Sequence, residues 1–237
     1  MIKMNKIKVG IIVAVVLAAI IFLYKICFVS FEDKNMAKVI AFNLNKDNPY
    51  FITRKDLDKI THIGIGPTNN YDTIVDLAKC KNLKVFVLND YDYGFGEFFF
   101  GKGRLSNVED EEKVEKIQND LKIIFKECPN ITSFLVPPTH YRYEGVEGLE
   151  NFEQKMYIQF TDISFLEEAN NLDFLNLEGQ KSIADYSVLD GLMKLEIIYL
   201  NDSNISDVSG LINRDSLRVL SIVGTPACEE MMKEENQ

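Results

Sequence analysis

Side chains able to carry out chemistry are few in this chain, and they are scattered. Cys27, Cys80, Cys128 and Cys228, with His62 and His140, are spread along 237 residues. Metal capture needs such ligands at short fixed steps, as in H-x-x-x-H, C-x-x-C or D-x-D-x-D-G, and none of these spacings occurs. The acidic run Glu109 to Glu112 suits the positive end of a helix better than a calcium site. Gly94, Gly96, Gly101 and Gly103 lack the strand-turn-helix context of a phosphate cradle. No nucleophile motif or paired-acid cleft appears. The expectation is therefore no enzyme, no cofactor, no metal and no small-molecule substrate. What remains is recognition by surface side chains.

Those side chains are positioned by a repeat. Leu172, Leu195 and Leu217 align at steps of 23 and then 22 residues, bringing Leu175 and Leu177, Ile198 and Leu200, and Leu220 and Ile222 into register. Asp162 and Ser164 return as Asp185 and Ser187, then as Asp207 and Ser209. This L-x-x-L-x-L spacing is that of a leucine-rich repeat, each unit a short strand, a turn and a return segment. One unit cannot bury its own apolar face, so units stack. The fold class is α/β: a leucine-rich repeat solenoid with a curved parallel β-ladder, an N-terminal helical cap and an N-terminal transmembrane helix.

Earlier coils follow the same spacing. Leu57, Ile60, Ile63 and Ile65 make the first; Leu77, Cys80, Leu83, Phe86 and Leu88 the second; Phe125, Cys128, Ile131, Phe134 and Val136 the third. Cys80 and Cys128 occupy one position in their coils, which makes them small core residues that stacking could bring within disulfide distance. Alternation along a strand sends every second side chain outward. The outward, concave face then carries Val85, Val87, Leu135, Phe174, Asn176, Ile197, Tyr199 and Ser221. Its mostly apolar band marks a partner-binding site, unless β-branched residues merely suit strands or an insertion folds over them. Phe174 and Tyr199, aromatic and central, are the expected hot spots.

Residues 1–30 form a basic tip and an apolar run from Val9 to Tyr24, preceded by Lys3, Lys6 and Lys8. Sixteen helical residues cover about 24 Å of a hydrocarbon core about 30 Å thick, so extension toward Phe31 and snorkelling of Lys25 would complete a span. A signal anchor is favoured over a cleaved signal, because Phe22, Leu23 and Tyr24 follow the alanines, and over a lipoprotein site at Cys27. Lysines before the run place the N-terminus in the cytoplasm and the repeats outside it. Residues 9–24 thus take the lipid bilayer as a partner.

Residues 31–60 read as a cap, with a helix from about Lys34 to Leu44 whose apolar side carries Met36, Val39 and Ile40, with Phe42 either on that side or beside it. Residues 61–226 are the repeat domain, interrupted by insertions at 90–124 and 137–159, and 227–237 is a C-terminal tail. The first insertion opens with six aromatics among glycines, including 93–100, either exposed or packed on the solenoid. It continues into a helix capped by Ser106 and Glu109, expected to be the return segment of the third coil, elongated. The net charge of −10 argues against nucleic acid as a partner.

Phe31 and Asp33, then Ile52, Thr53, Asp56 and Leu57, followed by the Asp-x-Ser-x-Leu units, resemble the bacterial internalin-like leucine-rich repeat proteins across residues 31–226, with gaps. Gln180, Ser203 and Thr225 stand where that resemblance would place a turn-holding asparagine. The resemblance implies an adhesin or interaction scaffold at a bacterial surface; joined to the leader and the missing catalytic motifs, the expectation is a membrane-anchored, non-catalytic recognition module that holds a protein or peptide. The alternative is a structural subunit of a membrane complex whose solenoid is packed against itself.

Overall fold

The computed structural model describes residues 6–66, 71–88, 111–136, 140–142, 153–155 and 158–235. The aromatic stretch 93–100 and the Ser106–Glu109 cap lie outside them.

Alternating apolar residues, at steps of 22 to 23 except across the two insertions, build one ladder. Strands β1 (His62–Ile65), β2 (Val85–Leu88), β3 (Ser133–Leu135), β6 (Phe174–Asn176), β7 (Ile197–Tyr199) and β8 (Val219–Ser221) form a six-stranded parallel sheet in that order. Ile63, Phe86, Phe134, Leu175, Ile198 and Leu220 are in register, facing inward. A separate antiparallel pair, β4 (His140–Arg142) with β5 (Glu153–Lys155), falls between β3 and β6. The core resumes at Ile158 and Phe160, both fully buried.

Returns differ in form but begin alike. Coils two, four and five use 3-10 turns at Val75–Lys79, Ser164–Glu168 and Ser187–Gly191, while α5 (Ser209–Ile212) serves the sixth. Thr73, Asp162, Asp185 and Asp207 each accept the N–H two residues on, at 3.2, 2.8, 2.8 and 2.8 Å. These are the local turn bonds that short oxygen-bearing side chains favour, and they satisfy donors the turn leaves open.

The third coil's return is the helix α4 (Glu111–Glu127), elongated as expected. Val114, Ile117, Leu121 and Ile124 face the core at three- and four-residue steps, with Phe125 beside them. Asp120 of α4 accepts the Thr73 hydroxyl at 2.6 Å and the Ile74 N–H at 2.8 Å, and Gln118 accepts the Thr161 N–H at 3.1 Å. The helix is therefore clasped to the coils on both sides. Around it Phe86, Phe134, Phe125, Phe165 and Phe160 pack with centroids 5.2–6.2 Å apart, mostly edge to face, which suits their quadrupoles.

The cap is α2 (Lys34–Asn43) and α3 (Arg54–Leu57). Met36, Val39 and Ile40 are buried as expected, but Phe42 is 54% exposed. Successive helix positions turn by about 100°, so placing Ala41 inward sends Phe42 outward. Thr53 and Asp56 close a reciprocal capping box at the start of α3.

The apolar run is helix α1 (Lys6–Cys27). Among the described residues, no helix is long and apolar enough to cross a membrane. The core packing begins after it, at Val29 and Phe31.

Candidate recognition face

Pairing along the ladder sets the outward columns. His62, Val85, Ser133, Phe174, Ile197 and Val219 are neighbours in one; Gly64, Val87, Leu135, Asn176, Tyr199 and Ser221 in the next. All eight expected residues, Val85, Val87, Leu135, Phe174, Asn176, Ile197, Tyr199 and Ser221, thus share one face, and each is half-buried. Ser133 interrupts the first column and Asn176 the second, so the apolar band runs diagonally. Its centre is the Phe174–Tyr199 pair, with ring centroids 5.7 Å apart and planes tilted by 49°. Diagonal cross-strand neighbours are within reach of large rings, and each ring limits the other's rotamers.

Asn176 and Ser221 belong to a polar chain instead of the apolar band. Ser221 Oγ donates to Asn201 Oδ1 at 2.7 Å, which also accepts the Val223 N–H at 2.9 Å. Asn201 Nδ2 donates to Glu178 Oε1, and Asn176 Nδ2 donates to Glu178 Oε2 at 3.2 Å. The Glu178 N–H closes the chain on Asn176 Oδ1 at 2.9 Å. Both carboxylate oxygens of Glu178 are therefore held by amides, beside the aromatic pair. Strand alternation already puts Glu178 and Asn201, 23 residues apart, at equivalent positions in the column flanking this face.

The three residues standing in for the turn asparagine are all buried. Gln180 Nε2 donates to the Ile158 carbonyl at 2.7 Å and its Oε1 accepts the Phe160 N–H at 2.9 Å. Thr225 Oγ1 donates to the Ile222 carbonyl at 2.6 Å. An asparagine ladder does exist, on the side leading into the strands. Asn82, Asn130 and Asn171 donate to the carbonyls of Asp58, Lys81 and Pro129 at 2.8, 3.0 and 2.7 Å, tying each coil to the preceding one.

A shallow groove of about 810 Å³ follows the strand starts, lined by Lys84, Thr132, Asp173 and Glu196 among others. Burial, and then the Glu196 charge, raise the Asp173 carboxyl above its ordinary range. Cys80 and Cys128 are free buried thiols, with Cys128 Sγ 3.3 Å from the Cys80 carbonyl oxygen. Burial pushes them up to about 12 and about 11. Among the described residues, no three His, Cys, Asp or Glu side chains converge as metal ligands.

The register, the inward apolar column and the return turns define a leucine-rich repeat solenoid of the α/β class. No protein-family model matches the chain, and no curated protein matches it. Solved structures similar to it include internalin InlF of Listeria monocytogenes, at 16% identity over 82% of this chain and 70% of that one, TM-score 0.35. Internalin C2 of the same organism is 20% identical over 86% and 88%, TM-score 0.38. InlP, also from L. monocytogenes, is 15% identical over 82% and 58%, TM-score 0.34.

Proposed function

We propose that the chain is a membrane-tethered, non-catalytic recognition module that grips a protein or peptide through the outward face of its ladder. The observation carrying this reading is the Phe174–Tyr199 pair, locked ring to ring on a face where strands usually show polar residues. Val85, Val87, Leu135 and Ile197 continue the apolar surface, and Glu178 offers an oriented carboxylate at its edge. Residues 61–237 carry sixteen basic and thirty-one acidic side chains, so a partner bringing basic groups and an apolar segment is favoured.

Tethering draws on α1, whose Ile12, Val13, Leu17, Ile21, Phe22 and Leu23 are 51–65% exposed along a 22-residue helix. In this reading its N-terminal side is cytoplasmic and the solenoid extracytoplasmic. The half-burial of all eight face residues favours a second reading, a structural subunit of a membrane complex with a face that takes no exchanging partner.

The test is proximity labelling with the tethered full chain, comparing wild type with Phe174→Ala/Tyr199→Ala and with Met193→Ala as an off-face control. Labelling of a discrete species lost only in the double variant, with circular dichroism unchanged, supports recognition. The same labelling in all three chains removes the role of this face.

A further inference from the structure

The 3-10 turn Pro49–Phe51 stands against the end of α1. Tyr24 donates its hydroxyl to the Tyr50 carbonyl at 2.7 Å, and the Val29 N–H donates to the Ile52 carbonyl at 2.8 Å. The Phe28 ring lies 5.1 Å from Tyr24 and 5.3 Å, edge-on, from Phe51. The turn is stiff: Pro49 restricts its entry, Asn48 caps the Tyr50 N–H at 2.9 Å, and Lys46 Nζ holds the Phe51 carbonyl at 3.1 Å. Nevertheless Tyr50 and Phe51 point outward, 63% and 51% exposed.

Rings held out of the core on a rigid turn match the needs of a surface that is apolar below and wet above. Their position is where the exposed apolar stretch of α1 ends, which is the level at which tyrosine and other aromatics collect at a bilayer boundary. Charge agrees with this. Residues 31–60 carry six basic and five acidic side chains, two of the acids (Asp33 and Asp56) buried, whereas the acidic excess lies in residues 61–237. A basic-leaning end tolerates an anionic lipid surface that the rest of the body would avoid.

We propose that Tyr24, Phe28, Tyr50 and Phe51 form a foot seated in the headgroup region of the bilayer, fixing the tilt of the solenoid on the membrane. This rests on reading α1 as the tether, and it adds a second contact with lipid made by the body itself. The solenoid then meets its partner at a set angle and does not swivel on a flexible stalk.

The chain contains no tryptophan, so single-tryptophan variants report their own surroundings. Phe22→Trp, Phe51→Trp and Met193→Trp would be made in the full chain and placed in phosphatidylcholine and phosphatidylglycerol vesicles. Bromine would be carried either near the head or near the tail end of the acyl chains. The expected result is quenching of Phe22→Trp by bromine at either depth, quenching and a blue shift of Phe51→Trp with shallow bromine only, and no quenching of Met193→Trp on the fifth coil.

Quenching of Phe22→Trp with Phe51→Trp as unquenched as Met193→Trp overturns the foot and leaves the tether standing. A blue shift of Phe51→Trp without bromine quenching also overturns it, pointing to burial against a second copy. Failure of Phe22→Trp to quench removes the tether, and the foot with it unless Phe51→Trp is still quenched by shallow bromine.

Discussion

Asp33 and Asp76 hold the cap and the second coil together reciprocally: the Asp33 N–H donates to the Asp76 carboxylate at 2.9 Å, while the Asp33 carboxylate accepts the Asp72 N–H at 2.7 Å. Asp76 also accepts the Glu32 N–H at 2.9 Å and the Lys79 ammonium, and its side chain is fully buried. Asp33 meanwhile caps α2 through the Asn35 and Met36 N–H groups at 2.7 Å each. One aspartate starts the helix and the other fixes where that helix lands.

Asp76→Ala should therefore destabilise the chain by about 3 kcal/mol, because buried N–H donors and a lysine lose their acceptor. The urea midpoint should fall with an unchanged slope. A loss under about 1 kcal/mol would mean that the clasp is dispensable.

Asp56 predicts acid sensitivity. The Lys46 ammonium, bonded at 2.8 Å, and the Thr53 hydroxyl and N–H hold its carboxyl well below the usual carboxylate range. Its folded value lies below its unfolded one, so its stabilisation is complete above pH of about 4 and is lost as pH falls below that. Asp56→Asn should lower the melting temperature at pH 7 and narrow the gap to wild type by pH 3. An equal gap at both pH values would refute the assignment.

The buried thiols give the opposite sign. Cys80 and Cys128 are raised to about 12 and about 11, above an unfolded value of about 8.5, so they favour folding fully below that value and progressively less as pH rises toward 11 and 12. A thiol reagent at pH 8 should modify exposed Cys27 and leave these two untouched until denaturant is added. Rapid native labelling of either would contradict the packing.

Gln180→Ala removes both partners of the 158–160 segment at once, stranding a buried N–H and a buried carbonyl. A loss of about 2 to 4 kcal/mol is expected, with amide exchange at Phe160 accelerating more than at Phe86. Uniform acceleration would show that the clip acts globally.

The ladder was legible from sequence because alternation and a constant period are both read locally: Leu175, Ile198 and Leu220 could share a column only one way. Phe42 was not, since a small residue beside it decides the helix phase through packing. The ladder of Asn82, Asn130 and Asn171 escaped notice because insertions separate these residues by 48 and 41 positions, hiding their equivalence. Of the recognition face, the Phe174–Tyr199 neighbourhood follows from register alone. The Glu178 hold required knowing which way two asparagine amides turn.

The sixth coil differs from the rest in one respect. Leu217, Leu220 and Ile222 are only half-buried, whereas Leu195, Ile198 and Leu200, their equivalents one coil earlier, are fully covered. Solenoid stability is a sum of nearest-neighbour terms. The molecule should therefore fray like a zipper from β8 inward, with amide protection climbing coil by coil toward the phenylalanine cluster around Phe134. Tyr199 lies one step from the fraying margin and Phe174 two, so strand loss would dismantle the aromatic pair before it reached the clasp at the opposite end.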